Sequence, residues 1–172
     1  MNNEYVFKEG QQVAIAVGSG SDVSLVKKSE MLKIFDRLGI IYTVTIISAH
    51  RHEETLPFFC QQAMDCGVKM FIAIAGKAAA LPGNIAGLKR AMPVIGVGIG
   101  PESLSSITNM PAGVPVFSTG IDRSALVNAT IGVCQILGTS DQGLRDRLQN
   151  YLLENNPKVE HDINVETYGE QV

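Results

Sequence analysis

Five apolar runs, Val13–Val17, Thr43–Ile47, Phe71–Ala75, Val94–Val97 and Val116–Phe117, recur about every 20–30 residues, and most of the gaps between them are helical in character. That alternation constrains the fold more than any other feature. Runs that are apolar throughout have no wet side, so they predict parallel strands whose crossover helices cover both faces of a sheet. The expected fold is a three-layer α/β/α sandwich around a central parallel sheet, flavodoxin-like or Rossmann-like, with C-terminal helices.

The gaps support this reading. Leu25, Leu32, Phe35 and Leu38 fall near one face of a helix, and Gly39 stands where a C-terminal cap is useful. Glu54–Cys66 before Gly67 repeats the device. Beyond the last strand, Ser124–Leu137 reads as an apolar helix, and Asp141–Leu153 as a second whose Leu144, Leu148 and Leu152 form a stripe that a neighbouring subunit would cover.

The chain has 172 residues, 45% hydrophobic and 18% charged, enough apolar material for about one packed domain. The net charge of -3 argues against a nucleic-acid or anionic-membrane partner and favours small molecules. Five acids against one base place -4 on residues 150–172, leaving a nearly neutral body. The expected layout is an N-terminal extension over 1–11, an α/β domain over 12–154 and an acidic tail over 155–172. Cys60, Cys66 and Cys134 match neither a zinc site nor a redox Cys-x-x-Cys pair, and all three are expected to be core or inert. A reducing compartment follows. With no secretory leader pattern and no run of about 18 apolar residues, the cytoplasm is the expected location.

In a doubly wound sheet, ligands bind beyond the carboxyl ends of the strands, so the residues after each run are the candidates. They are Gly18-Ser19-Gly20-Ser21-Asp22, Ser48-Ala49-His50-Arg51, Gly76-Lys77-Ala78-Ala79-Ala80-Leu81-Pro82-Gly83 and Gly98-Ile99-Gly100, all expected on one rim. The first group lets backbone and hydroxyls approach an anion, although an ordinary turn capped by Ser21 or Asp22 explains it equally. It has neither the Gly-x-Gly-x-x-Gly spacing nor a P-loop Gly-Lys-Ser/Thr. His50-Arg51 joins a group able to titrate near neutrality to a permanent cation, a combination suited to proton transfer on a phosphorylated substrate; alone it also fits a surface turn. His52 is taken as an exposed residue opening the next helix. The small side chains of 76–83 imply close backbone approach to a ligand or to a packed helix, with Lys77 either solvated or facing an anion.

In this order and spacing, Gly-Ser-Gly-Ser-Asp, Ser-Ala-His-Arg, Ala-Gly-Lys-Ala-Ala-Ala-Leu-Pro-Gly, Pro-Val-Ile-Gly-Val and Met-Pro-Ala-Gly-Val-Pro-Val resemble the PurE family of purine biosynthesis, over about residues 12–150. The resemblance implies either N5-carboxyaminoimidazole ribonucleotide mutase activity or the related carboxylation of aminoimidazole ribonucleotide by CO2. It implies a mononucleotide substrate, no cofactor, no metal and a homo-octamer. It gives Ser19 and Ser21 the phosphoribosyl group, Asp22 the ribose hydroxyls, Arg51 the phosphate, Ser48 and Ala49 the wall beside the ring, and His50 the proton. Ala75, Gly76 and the alanine loop would form the CO2 pocket. Four departures stand out: Ala80 replaces a histidine usual in the mutases, Lys77 is carboxylase-like, His52-Glu53 replaces Thr-Pro, and the stretch from Val97 to Met110 is short. A divergent nucleotide-binding paralogue therefore stands as a third reading.

Overall fold

The computed structural model describes residues 7–156. The chain runs β1 (Val13–Val17), α1 (Val23–Lys28), α2 (Met31–Leu38), β2 (Tyr42–Ile46), α3 (Leu56–Asp65), β3 (Met70–Gly76), α4 (Ala80–Leu88), β4 (Val94–Ile99), a 3-10 turn at Pro101–Ser103, α5 (Leu104–Thr108), β5 (Phe117–Ile121), α6 (Asp122–Leu137) and α7 (Gln142–Asn155). All strand pairs are parallel, in the order β2-β1-β3-β4-β5. The expected architecture is present.

Alternate residues of the central strands feed two separate cores. Val13, Ile15 and Val17 pack with α1, α2, α6 and α7 on one face, whereas Ala14 and Ala16 pack with α3, α4 and Ile107 of α5 on the other. The alanines matter because small side chains let Phe59 and Phe71 fill the second layer, their ring centroids 6.2 Å apart. Phe7 joins this layer, 5.8 Å from Phe59, so the segment before β1 is partly anchored. Gly96 in β4 is needed for the same reason: a Cβ there would stand 2.6 Å from Ile107 and 2.8 Å from Val116.

The structure corrects several local expectations. The helix expected after β1 is two helices, broken at Ser29, whose extended backbone interrupts the turn pattern. The buried Ser29 hydroxyl donates to Val26 O at 2.7 Å and accepts from the Met31 amide at 3.3 Å, closing one helix and opening the next. Gly39 does cap α2, in the left-handed region at φ 72°. The last strand lies at Phe117–Ile121 rather than Val116–Phe117; its polar Ser118-Thr119-Gly120 gives no apolar signal because an edge strand is only partly buried.

The C-terminal stripe is also covered differently from expectation. Leu144 and Leu148 are buried within the same chain, and Leu152 is left half-exposed. Helix α7 is tied to α2 by Arg147 Nε donating to Leu38 O at 3.0 Å and by an Arg37–Glu154 ion pair, with the Arg37 guanidinium 5.2 Å from the Tyr151 ring centre. These links join segments of one chain, which by itself buries Leu144 and Leu148 but not Leu152. Of the cysteines, Cys60 and Cys134 are core residues, whereas Cys66 is exposed just beyond α3 and so is not part of the core. No helix among the described residues is long and apolar enough to cross a membrane. The acidic tail beyond residue 156 lies outside the described residues.

Burial raises the Cys60 and Cys134 thiols from 9.0 to about 12, against small opposing effects of Lys89 and Arg147. Burial, then the hydrogen bond to Asp36, raises Tyr42 from 10.0 to about 12. Each group holds its proton more tightly folded than unfolded, so the unfolded chain deprotonates first as pH rises. The contribution is complete below the ordinary values and is lost toward pH 12. Urea midpoints are expected to fall progressively between about pH 9 and pH 12; a midpoint that stays constant across that window contradicts the assignment.

Candidate active site at the carboxyl edge of the sheet

The strand order places β1 between β2 and β3, so the connections leaving β1 and β3 diverge and open a crevice at their carboxyl ends. A cavity of about 680 Å³ occupies this position, within the range of small-molecule sites. Ser19, Ser21, Asp22, Ser48, Ala49, His50, Arg51, Ala75, Gly76 and Lys77 all line it. The loops expected on one rim meet there.

Gly18 ends β1 by donating to Ile74 O at 2.8 Å, and a Cβ on Gly18 would already touch Ala75 at 3.4 Å. The chain then turns so that Ser21 Oγ donates to Asp22 Oδ1 at 3.0 Å. Since that bond uses the only Ser21 hydroxyl proton, Ser19 Oγ is the donor in its 2.9 Å contact with Ser21 Oγ. Asp22 precedes α1 without capping it through its side chain. The three side chains form a linked polar row along one wall, rather than an N-terminal cap.

Opposite this row, the loop after β2 carries His50 and Arg51, both exposed to the cavity. Arg51 Nη2 donates to Gly18 O at 3.4 Å, which holds the guanidinium beside the Ser19–Asp22 turn. Ser48 is buried at the root of the loop. His52 does not open α3, which starts at Leu56; it remains exposed, but its Nδ1 accepts the Ser48 amide at 3.0 Å.

The third wall is the alanine loop. Lys77 and Ala79 have positive φ, 55° and 25°, values costly for residues with a Cβ. The strained turn lets the chain leave β3 and enter α4 at Ala80 while presenting small side chains to the cavity. Gly76 contributes through close approach, since a Cβ there would be 3.2 Å from Ile99 O. Lys77 does meet an anion: its Nζ is 3.7 Å from Glu102 Oε1 across the opening. Both side chains are well exposed, so the pair orients charge without adding measurably to stability.

Glu102 and Asp122 escaped sequence reasoning. Glu102 lines the cavity from the 3-10 turn after β4. Asp122, itself at φ 61°, accepts the Gly100 amide at 3.0 Å and thereby fixes the loop that carries Glu102. The pairing of Gly100 with Asp122 spans two strands and has no local signature. The one available sign was Gly98-Ile99-Gly100 at a strand end. No cluster of His, Cys, Asp and Glu able to hold a metal occurs among the described residues.

Residues 12–158 match the AIR carboxylase family. The chain belongs to the PurE/AIR carboxylase family. It is 40% identical over 154 residues to the N5-carboxyaminoimidazole ribonucleotide mutase of Pyrococcus horikoshii, covering 86% of this chain and 84% of that protein. It is 38% identical over 146 residues to the Escherichia coli K12 protein of the same name, covering 81% and 85%. The crystal structure of Treponema denticola PurE superposes with a TM-score of 0.74 at 23% identity, covering 84% of this chain and 91% of that one, a likeness of fold. In this PurE-family protein the strand-end motifs of purine biosynthesis thus sit on the expected scaffold.

Left-handed backbone at Lys77 generates a test. Lys77→Gly removes the steric cost of that conformation, about 1–2 kcal/mol, against an unfolded-state entropy loss of roughly 0.4–1 kcal/mol. A net stabilisation of roughly 0.5–1 kcal/mol is expected as a higher urea midpoint. Destabilisation would contradict the assignment of backbone strain to Lys77.

Proposed function

We propose that this chain is an N5-carboxyaminoimidazole ribonucleotide mutase that moves a carboxylate from N5 to C4 of the imidazole, with His50 as general acid and base. The observation that carries the reading is the Arg51–Gly18 contact across the crevice, which sets a guanidinium against a serine-lined turn and leaves the adjacent imidazole facing the same cavity. The identity to proteins named as mutases supports the choice of reaction.

In this reading Arg51 and the Ser19 and Ser21 hydroxyls bind the phosphate, with the bidentate guanidinium supplying most of the charge. Asp22 accepts from ribose hydroxyls, and Ser48 and Ala49 flank the ring. Breaking the N5–carboxylate bond releases CO2 and leaves the bond pair on N5, which takes a proton from His50. The C4 carbon of the resulting aminoimidazole then attacks the retained CO2, and the proton lost from C4 returns to His50. Protons balance over the cycle, so one imidazole serves both steps. Retaining CO2 between them calls for a wall without polar groups, which Ala75, Gly76, Ala78, Ala79 and Ala80 supply. The reading includes homo-octameric assembly in the cytoplasm and needs no cofactor, on the strength of the family resemblance.

Direct carboxylation of aminoimidazole ribonucleotide is the second reading, favoured by Ala80 in place of a histidine and by Lys77 at the cavity mouth. A cation there would attract bicarbonate or a developing carboxylate. Turnover of N5-carboxyaminoimidazole ribonucleotide without added bicarbonate decides for the mutase. Turnover only of aminoimidazole ribonucleotide with bicarbonate decides for the carboxylase, and binding without turnover of either would end both.

His50→Asn is expected to lower kcat by about 10²–10⁴-fold while nucleotide affinity stays within about tenfold, or roughly 1.4 kcal/mol. Near-normal turnover in that variant removes His50 from the mechanism. Ala80→His is expected to raise the ratio of mutase to bicarbonate-dependent activity, measured with both substrates on one preparation; an unchanged ratio would show that this position does not set reaction choice.

A further inference from the structure

His50 and Arg51, on the β2 side of the cavity, stand on a loop with no regular structure, since β2 ends at Ile46 and α3 begins at Leu56. The loop must gain its rigidity from local bonds. Ile47 is still held by the sheet, its amide donating to Val17 O at 2.8 Å. Ser48 is the first residue past that support. It is 7% exposed, and a buried amide without an acceptor is costly. Its N–H donates to His52 Nδ1 at 3.0 Å, and the His52 N–H donates back to Ser48 O at 2.9 Å. The two bonds close a ring around Ala49, His50 and Arg51.

The main chain of His52 extends the clasp into the helix. His52 O accepts the Leu56 amide at 2.9 Å, the Thr55 amide at 3.1 Å and the Thr55 hydroxyl at 3.1 Å. One residue therefore ties the strand end to the start of α3 while standing outside the cavity lining.

We propose that His52 is a positioning residue: by accepting the Ser48 amide on Nδ1, it holds the turn that presents His50 and Arg51 to the cavity. An acceptor Nδ1 carries no proton, so the ring is neutral with its proton on Nε2. The part played by the turn in turnover rests on the function proposed above; the clasp itself does not.

The geometry separates this role from general packing. Nδ1 is two bonds from Cβ, where Asn carries Oδ1, whereas Nε2 lies one bond further out, where Gln carries its amide. His52→Asn is expected to keep kcat/KM within about threefold of the parent, while His52→Gln and His52→Ala lose about tenfold, equivalent to about 1.4 kcal/mol. Asn performing no better than Gln would overturn the proposal. A second measurement does not depend on activity or on any variant's yield of folded protein: 15N spectra of the parent chain at pH 8 are expected to show the His52 ring as the Nε2–H tautomer, with slow exchange of the Ser48 amide. The Nδ1–H tautomer would overturn the clasp. If the parent turns over neither aminoimidazole substrate, the proposed function fails, and the ring spectra still decide the role of His52 in the turn.

Discussion

The parallel ladder that seats β1 between β2 and β3 carries everything else. Val13–Val17 is matched residue for residue with Tyr42–Ile46 on one side and Met70–Ile74 on the other. That shared register ends β1 and β2 level with each other at Val17 and Ile46, while β3 runs two residues further to Gly76, and the chain leaves β1 and β3 in opposite directions. The gap follows from connectivity and needs no side chain to hold it open. Residues far apart in the chain become neighbours because their strands run side by side to the same edge of the sheet.

Around this gap the protein accepts local cost in return for closeness. Lys77, Ala79 and Asp122 adopt backbone conformations unfavourable to side chains, and all three stand at or next to cavity loops. The two cores beneath supply the compensation, with the central strands almost entirely removed from water. Polar groups near the rim are tied to one another. Ser19, Ser21 and Asp22 form one row, Ser48 and His52 one clasp, and Gly100 with Asp122 one brace. Such local networks hold exposed loops that few apolar contacts could hold.

Strand identity was readable in β1, β3 and β4 because they are apolar on both faces, and it faded in β5 because an edge strand needs only partial cover. The break at Ser29 was hidden for a related reason. Leu25, Leu32, Phe35 and Leu38 keep a helical stripe across it, while the interruption comes from a single hydroxyl bonding to both helix ends. The cavity loops were legible as Gly-, Ser- and Ala-rich segments after strands, and most of the candidates drawn from them line the cavity, whereas Gly20, Pro82, Gly83 and Gly98 stand outside its lining. Glu102 was not, since a glutamate after Gly-Pro looks like any surface acid until Lys77 is brought opposite.

Alternation of apolar and amphipathic segments determined the layers, and the composition of the strand ends determined which chemistry could collect at one edge, because both depend on near neighbours in the chain. Folding alone decided the pairings between distant residues: Arg51 with Gly18, Lys77 with Glu102, Gly100 with Asp122, and α7 with α2 through Arg37 and Glu154. A hydrogen bond or ion pair is set by where two groups end up in space. Periodicity reports which face of an element is buried, but not which partner waits across it.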